Sequence, residues 1–323
     1  MKTEAVRIHE TGGADKMRRE EITLSSPAAD EALVRHEAIG VNFIDVYHRT
    51  GLYPQPLPAV LGLEAAGVVE AAGEKSGVSV GERVGYCVAG LGAYAKHRLV
   101  KGERLIRLPD DIGFEQAAAL LLKGMTVEYL IRRAYPVRAK DTVLWHAVAG
   151  GVGLIACQWL KQLGVRIIGT AGNEEKATLA KAHGCDEVIL YDHEDVATRV
   201  CELTDGKGVP VAFDSVGAAT FEGTLNSLAP RGVFVSFGNA SGAVGAFEPS
   251  LLAQKGSLFF TRPTLMTYCA APKEMLDSAA ALFFAVHAGL RVEIGLRLPL
   301  TDAATAHRAL ESRQTTGATV LLP

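Results

Sequence analysis

Residues 142–153, Thr-Val-Leu-Trp-His-Ala-Val-Ala-Gly-Gly-Val-Gly, constrain the fold of this chain more than any other stretch. An apolar run ends in a turn of small residues. An apolar helical pattern then begins at once, at Val152, Leu154, Ile155, Trp159, Leu160 and Leu163. Strand, tight glycine turn and helix together make the shape that binds a dinucleotide pyrophosphate. The helix N-terminus offers unpaired N–H groups and the positive end of its dipole, and glycines let phosphates approach the backbone. The spacing departs from the usual G-x-G-x-x-G: it reads Ala147-x-x-Gly150-x-x-Gly153, with Gly151 inside. A glycine trio alone also fits an ordinary βα turn, so the surrounding pattern has to decide.

That pattern alternates regularly. Apolar runs at 165–171, 187–191, 211–214, 232–238 and 257–261 follow the first, separated by amphipathic or polar helical stretches such as 174–183. Short apolar runs between helices read as buried parallel strands, and six of them predict a Rossmann domain. The first ~120 residues differ, with short β-like runs at 5–8, 32–35, 66–69 and 83–86 between Gly- and Pro-rich turns. Such spacing predicts a small, mainly antiparallel barrel. The chain end returns to this style, with a helical pattern at 301–312 and a strand at 318–322. The expected architecture is α/β: a six-stranded parallel domain (124–262) inserted in a barrel domain (1–123 and 263–323), with a cleft between them for ligands.

Composition narrows the classes. A length of 323 residues suits two domains, and the net charge of −3 disfavours a polyanion binder. No apolar run approaches the roughly 18 residues of a membrane span, and the first residues lack a signal-peptide pattern, so a cytoplasmic location is expected. The five cysteines stand singly and no H-E-x-x-H occurs, so no metal site is expected.

The tip of the second parallel strand bears on the cofactor. An acid there would bind the ribose 2′-hydroxyl of NAD, whereas a basic group suits the 2′-phosphate of NADP. This strand ends Ala171-Gly172-Asn173 without an acid. Asn173, Lys176 and Tyr191 are the residues expected to surround a 2′-phosphate, which favours NADPH. Glu174 and Glu175 weigh against it, and a solvated Lys176 is the plain alternative.

Several motifs in order now carry a resemblance over nearly the whole chain: Gly40-Val41-Asn42-Phe43-Ile44-Asp45, Gly51-Leu52-Tyr53-Pro54, Gly62-Leu63-Glu64-Ala65-Ala66-Gly67, Leu122-Lys123-Gly124-Met125-Thr126, His146 to Gly153, Asp214-Ser215-Val216-Gly217 and Ser236-Phe237-Gly238-Asn239. The sequence resembles the medium-chain dehydrogenase/reductase superfamily, and within it the zinc-free NADPH:quinone oxidoreductases related to zeta-crystallin. The resemblance implies a GroES-like barrel as the catalytic domain. Zinc alcohol dehydrogenases of the superfamily place a cysteine and a histidine where this chain has Asn42 and Leu63, and the chain also lacks their four-cysteine lobe. Without a Lewis acid, the acceptor must be intrinsically electrophilic, a quinone or an enone.

The expected reaction is hydride (or electron) transfer from NADPH, with charge growing on the acceptor oxygen. Asn42, Tyr47 and Tyr53 are the candidate catalytic donors, water supplies the final proton, and Asp45 is expected to orient its neighbours. Aromatic packing is the alternative role of the two tyrosines. Gly150, Gly151, Val152 and Gly153 are assigned to the pyrophosphate; Ser215, Val216 and Gly217 to the adenosine side; Phe237, Gly238 and Asn239 to the nicotinamide ribose. Thr126, read as beginning a helix, and Asn42 are assigned to the nicotinamide end, and Arg313 matches an arginine that touches the cofactor in the family. Lys123 is expected to be a solvated residue at a helix start, with cofactor contact as the alternative, and His146 a packed residue beneath the turn. An edge strand at 257–261 is expected to pair with its copy in a homodimer. Two other readings stand beside this one: a reductase of α,β-unsaturated carbonyls or enoyl thioesters, and an NADPH-sensing or RNA-binding protein.

Overall fold

The computed structural model describes residues 1–312 and 315–323. The chain divides into two compact units, Met1–Lys123 with Cys269–Ala279 and Val292–Pro323, and Gly124–Tyr268 with Ala280–Arg291. Strands are numbered in chain order, and each unit is built on its own sheet structure.

The first unit holds β1 (Lys2–Ile8), β2 (Arg18–Thr23), β3 (Glu31–Val41), β4 (Ala59–Val60), β5 (Glu64–Ala72), β6 (Arg83–Tyr86), β7 (His97–Lys101) and β8 (Ile106–Arg107), with β15 (Ile294–Pro299) and β16 (Ala318–Leu322) from the chain end. One sheet runs β15-β16-β3-β5-β6-β8, with β7 also paired to β3, and a smaller one runs β2-β1-β4. All pairings are antiparallel except β15 with β16. Val34, Ile39, Leu61, Val69, Val84 and Tyr94 fill the core at zero exposure. The β3–β5 register sets Gly40 opposite Glu64. That register matters because β3 runs directly into α1 (Phe43–Thr50), which carries Tyr47 and is capped by Asn42. The unit also holds most of α2 (Phe114–Tyr129).

The second unit is a six-stranded sheet of β9 (Thr142–Trp145), β10 (Arg166–Ala171), β11 (Glu187–Leu190), β12 (Val209–Asp214), β13 (Leu228–Ser236) and β14 (Phe259–Thr261). Every pairing is parallel, in the order β11-β10-β9-β12-β13-β14. This is the Rossmann arrangement, in which the chain first winds one way from β9 and then the other. The strands are apolar on both faces because both are covered: Leu144, Ile168, Ala212 and Phe234 are buried to one side, and Val143, Trp145, Ile167 and Phe213 are buried as well. Helices α3 (Gly151–Gln162) and α4 (Glu174–Ala182) follow β9 and β10.

Two expected boundaries shift. The edge strand starts at Phe259 rather than 257, because Ser257 adopts a left-handed φ of 58° that no ladder accommodates. Thr126 does not begin a helix. It lies near the end of α2, which starts at Phe114. Gly124 does not break that helix, because the Leu282 side chain occupies the space beside it. Among the described residues no helix is long and apolar enough to cross a membrane.

Candidate active site

In the second unit, the order reverses between β9 and β12, and that switch point is where open α/β sheets bind ligands. The loops leaving the two strands lie side by side there, with the His146 N–H donating to Phe213 O at 3.0 Å. The turn after β9 is tightly held. Ala147 sits at φ 56°, the Val148 N–H donates to Thr170 O at 3.1 Å, and the Gly150 N–H to Ala147 O at 3.1 Å. A Cβ on Gly153 would lie 2.5 Å from Ala147 O and 2.6 Å from Val148 Cα, so only glycine lets α3 start this close to the turn. Among the described residues no side chain caps α3 at Gly150. The N–H groups of its first turn, Gly151 to Gly153, are therefore available to an anion. His146 is buried beneath the turn, between Thr170 Oγ1 at 3.2 Å and Thr224 Oγ1 at 2.9 Å, and burial lowers its pKa.

The loops after β12 and β13 are bonded to each other. Asp214, fully buried, accepts from the Val216 and Gly217 N–H groups at 2.6 and 3.2 Å and from Thr220 Oγ1 at 2.6 Å. The Phe237 N–H donates to Asp214 O at 2.7 Å and the Ala240 N–H to Ser215 O at 3.2 Å. A Cβ on Gly238 would stand 2.5 Å from Ser215 O. The structure thus brings Ser215, Val216 and Gly217 together with Phe237, Gly238 and Asn239 in one rigid double loop. At the tip of β10, Asn173 caps α4 by accepting from the Lys176 N–H at 2.9 Å. Tyr191 Oη lies over Gly172, 2.8 Å from where a Cβ would be. Asn173 thus bonds the Lys176 backbone, and Tyr191 lies beside Gly172, the residue before Asn173. Arg313 lies outside the described residues.

In the first unit, Asn42 ends β3 and is the N-cap of α1. Its backbone N–H donates to Asp45 Oδ2 at 2.9 Å. Its side chain faces the other way, donating from Nδ2 to Glu64 Oε2 and accepting at Oδ1 from Lys123 Nζ, both at 2.8 Å. Lys123 is buried, not solvated, at 6% exposure. This corrects the expectation from its place in the sequence: the helix continues past it, and partners on β3 and β5 receive its ammonium. Tyr47 is buried on α1 and meets Tyr53 edge-on, with ring centroids 5.2 Å apart. The Tyr53 N–H donates to Tyr47 O at 3.1 Å.

Sequence reasoning missed a buried chain behind α1. The Tyr94 hydroxyl donates to Asp45 Oδ2 at 3.0 Å and lies 3.0 Å from His307 Nε2. One hydroxyl proton serves both contacts only if His307 carries its own proton on Nε2 and donates it. Asp45 Oδ1 and His307 Nδ1 have no partner among the described residues. Burial raises the Asp45 carboxyl to about 7, against hydrogen bonds from Asn42 and Tyr94, and lowers His307 to about 3. A neutral Asp45 therefore favours the folded protein. Its contribution is full below pH about 4 and fades as pH rises through about 7. His307 works oppositely: its contribution is full above pH about 6.5 and fades as pH falls toward about 3. Comparing wild type with Asp45→Asn isolates the first effect. The advantage of wild type should shrink by on the order of 3 kcal/mol from about pH 5 to about pH 8. Urea melts at both pH values measure it, and an advantage that grows with pH refutes the assignment.

Comparison with known proteins places these features. Residues 28–110 match the family described as alcohol dehydrogenase GroES-like domain, and residues 151–282 that described as zinc-binding dehydrogenase. The chain is 52% identical to a quinone oxidoreductase of Pseudomonas aeruginosa, covering 97% of each. It is 43% identical to a 2-haloacrylate reductase of a Burkholderia species, covering 98% of each. The structure of Escherichia coli quinone oxidoreductase complexed with NADPH superposes with a TM-score of 0.97 at 45% identity, covering 99% of this chain and all of that one. The second family description implies zinc, and the residues here do not fit one. Asn42 is an amide held by Glu64 and Lys123, Leu63 is apolar and buried, and among the described residues no three His, Cys, Asp or Glu side chains converge as a ligand set.

Proposed function

The chain belongs to the medium-chain dehydrogenase/reductase family, and from that premise we propose that it is an NADPH-dependent quinone oxidoreductase working without zinc. The observation that carries this reading is its nearly full-length likeness to a quinone oxidoreductase complexed with NADPH. The uncapped α3 N-terminus, with Gly153 and Gly238 at close approaches, suits the same cofactor. When bound, NADPH supplies a hydride from C4 of its nicotinamide. The side chains bind, orient and stabilise charge.

In this reading Gly150, Gly151, Val152 and Gly153 hold the pyrophosphate, the last three through the N–H groups of the first turn of α3. Ser215, Val216 and Gly217 line the adenosine side. Phe237, Gly238 and Asn239 hold the nicotinamide ribose, and Thr126 and Asn42 the nicotinamide end. Asn42, Tyr47 and Tyr53 donate to the acceptor oxygen as it gains charge, and water supplies the proton that completes the hydroquinone. A metal is not required, because a quinone accepts hydride without Lewis-acid polarisation.

Steady-state NADPH oxidation with 1,4-benzoquinone and 9,10-phenanthrenequinone tests the reading, and no turnover with either overturns it. Crotonyl-CoA and a 2-haloacrylate in the same assay test a second reading, favoured by the 2-haloacrylate reductase relative, in which the acceptor is an electron-poor alkene. Asn173, Lys176 and Tyr191 bind the 2′-phosphate in this account. Lys176→Ala should weaken NADPH by about tenfold or more, the size of a lost charge-assisted bond, and leave NADH unchanged. Fluorescence titration of both cofactors decides it, and unchanged NADPH affinity removes the assignment. Strand β14 is an edge with Phe259 61% exposed, and we read it as the seam of a homodimer with a continuous sheet. Sedimentation showing only monomer at micromolar concentration would refute that.

A further inference from the structure

An ammonium and a carboxylate are buried on either side of one amide. Lys123 is 6% exposed and Glu64 is fully buried. They are 3.5 Å apart, farther from each other than either is from Asn42, which bridges them at 2.8 Å on each side. The remaining capacity of both charges is turned inward. Lys123 Nζ also approaches Val41 O at 3.4 Å, and Glu64 Oε1 accepts the Leu122 N–H at 2.7 Å. The seat of the carboxylate depends on Gly40, where any Cβ would overlap Glu64 Oε2 and Ala118 O.

The chemistry of these partners allows one arrangement. An ammonium only donates. Burial pushes the Glu64 carboxyl up, while the same ammonium and the Asn42 and Leu122 N–H groups favour its ionised form, which only accepts. The amide must therefore turn its oxygen to Lys123 and its nitrogen to Glu64. A flipped amide would set C=O against carboxylate and NH2 against ammonium, two repulsive contacts at low dielectric. One N–H of Nδ2 is used by Glu64, and the other has no acceptor among the described residues.

We infer that Glu64 and Lys123 are positioning residues that lock the Asn42 amide in one orientation, so that its remaining N–H is the donor presented to the acceptor oxygen. The inference rests on the quinone reductase reading and deepens it. Locked in this way, Asn42 discriminates between substrates: it serves an incoming lone pair, as on a quinone or enone oxygen, and offers nothing to a hydroxyl donor.

The test compares wild type with Glu64→Gln, Lys123→Met and the double variant. Each single change leaves a different partner, and Lys123→Met also strands a buried carboxylate, which is strongly destabilising. The double variant removes both charges together, a replacement buried pairs often tolerate. If the pair merely stabilises the fold, the double variant recovers both melting temperature and kcat. The lock predicts that it recovers melting temperature while kcat with 1,4-benzoquinone stays down by about 10- to 100-fold, the range expected of a misplaced reacting group. NADPH affinity should change far less than kcat, and Glu64→Gln, in which Lys123 still holds Oδ1, should lose least. A double variant with wild-type kcat overturns the lock. A check independent of folding uses the 15N-resolved side-chain amide of Asn42 in wild type. The proton bonded to Glu64 should be protected from exchange with solvent, and fast exchange of both protons would overturn the lock without any variant. Wild type inactive with every quinone would overturn the functional reading instead, so the two failures are distinguishable.

Discussion

Asn42→Ala is expected to lower kcat for quinone reduction by about 10²- to 10³-fold, the usual cost of removing one preorganised donor from a developing oxyanion. NADPH affinity should fall far less than kcat, because Asn42 is one of many contacts proposed for the cofactor, whereas its bond to the acceptor oxygen strengthens only as charge develops. The fold should survive. The cap of α1 depends on the Asn42 backbone N–H and the Asp45 carboxyl, and alanine keeps that backbone bond. Glu64 and Lys123, 3.5 Å apart, can close on each other, limiting the loss of stability to about 1–3 kcal/mol. Asn42→Asp is the sharper variant. It also removes the donor, and it sets a second carboxylate against buried Glu64, so its kcat should be no higher than that of Asn42→Ala. Stopped-flow NADPH oxidation and cofactor titration together check this pair, and an Asn42→Ala kcat within about fivefold of wild type would remove Asn42 from the chemistry.

Gly153→Val should weaken NADPH binding by about 100-fold or more, since a displacement near 1 Å at a preorganised site has that effect. The atoms that a Cβ would strike, Ala147 O at 2.5 Å and Val148 C and Cα at 2.6 Å, are backbone atoms of the turn itself. The turn has little room to yield. Thr170 O holds the Val148 N–H, Ala147 O holds the Gly150 N–H, and Ala147 is already in the left-handed region. Relief requires that α3 move away from the turn, carrying its first N–H groups out of register with a phosphate. Overpacking of this kind also costs about 1–3 kcal/mol of stability. Gly150→Ala is the matched control, because its Cβ finds only Ala147 O at 3.3 Å, and its effect should be small. Isothermal titration of the three proteins measures the contrast. Equal NADPH affinity in Gly153→Val and Gly150→Ala would mean that the turn does not hold the pyrophosphate.

Much of the candidate site was legible because its signals are local. Asn173, Lys176 and Tyr191 follow two adjacent strands, and the motifs ending β12 and β13 sit at neighbouring strand tips, so strand order alone brings each group together. Glu64 and Lys123 were visible only as anomalies, single charges inside the apolar runs 61–69 and 117–127. A charge so placed is either exposed on a strand edge or paired in the interior, and the sequence could not choose. Tyr94 and His307 left no such trace, since tyrosine and histidine are ordinary in half-buried elements.

By itself the sequence determined the alternating strands and helices of the second unit, the glycine turn after β9 and the β-rich character of the chain ends. These follow from hydrophobic period and turn chemistry within a dozen residues. Only the tertiary structure decided what meets at Asn42. Lys123 reaches it across 81 residues, Glu64 across 22, and Tyr94 meets His307 across 213. Those meetings depend on strand register and on helix α2 continuing past Lys123. The same lysine that periodicity reads as a solvated surface group thus becomes a buried charge on an amide. The reason is energetic: a buried ammonium is tolerable only where acceptors converge, and convergence is a property of the fold, not of any one segment.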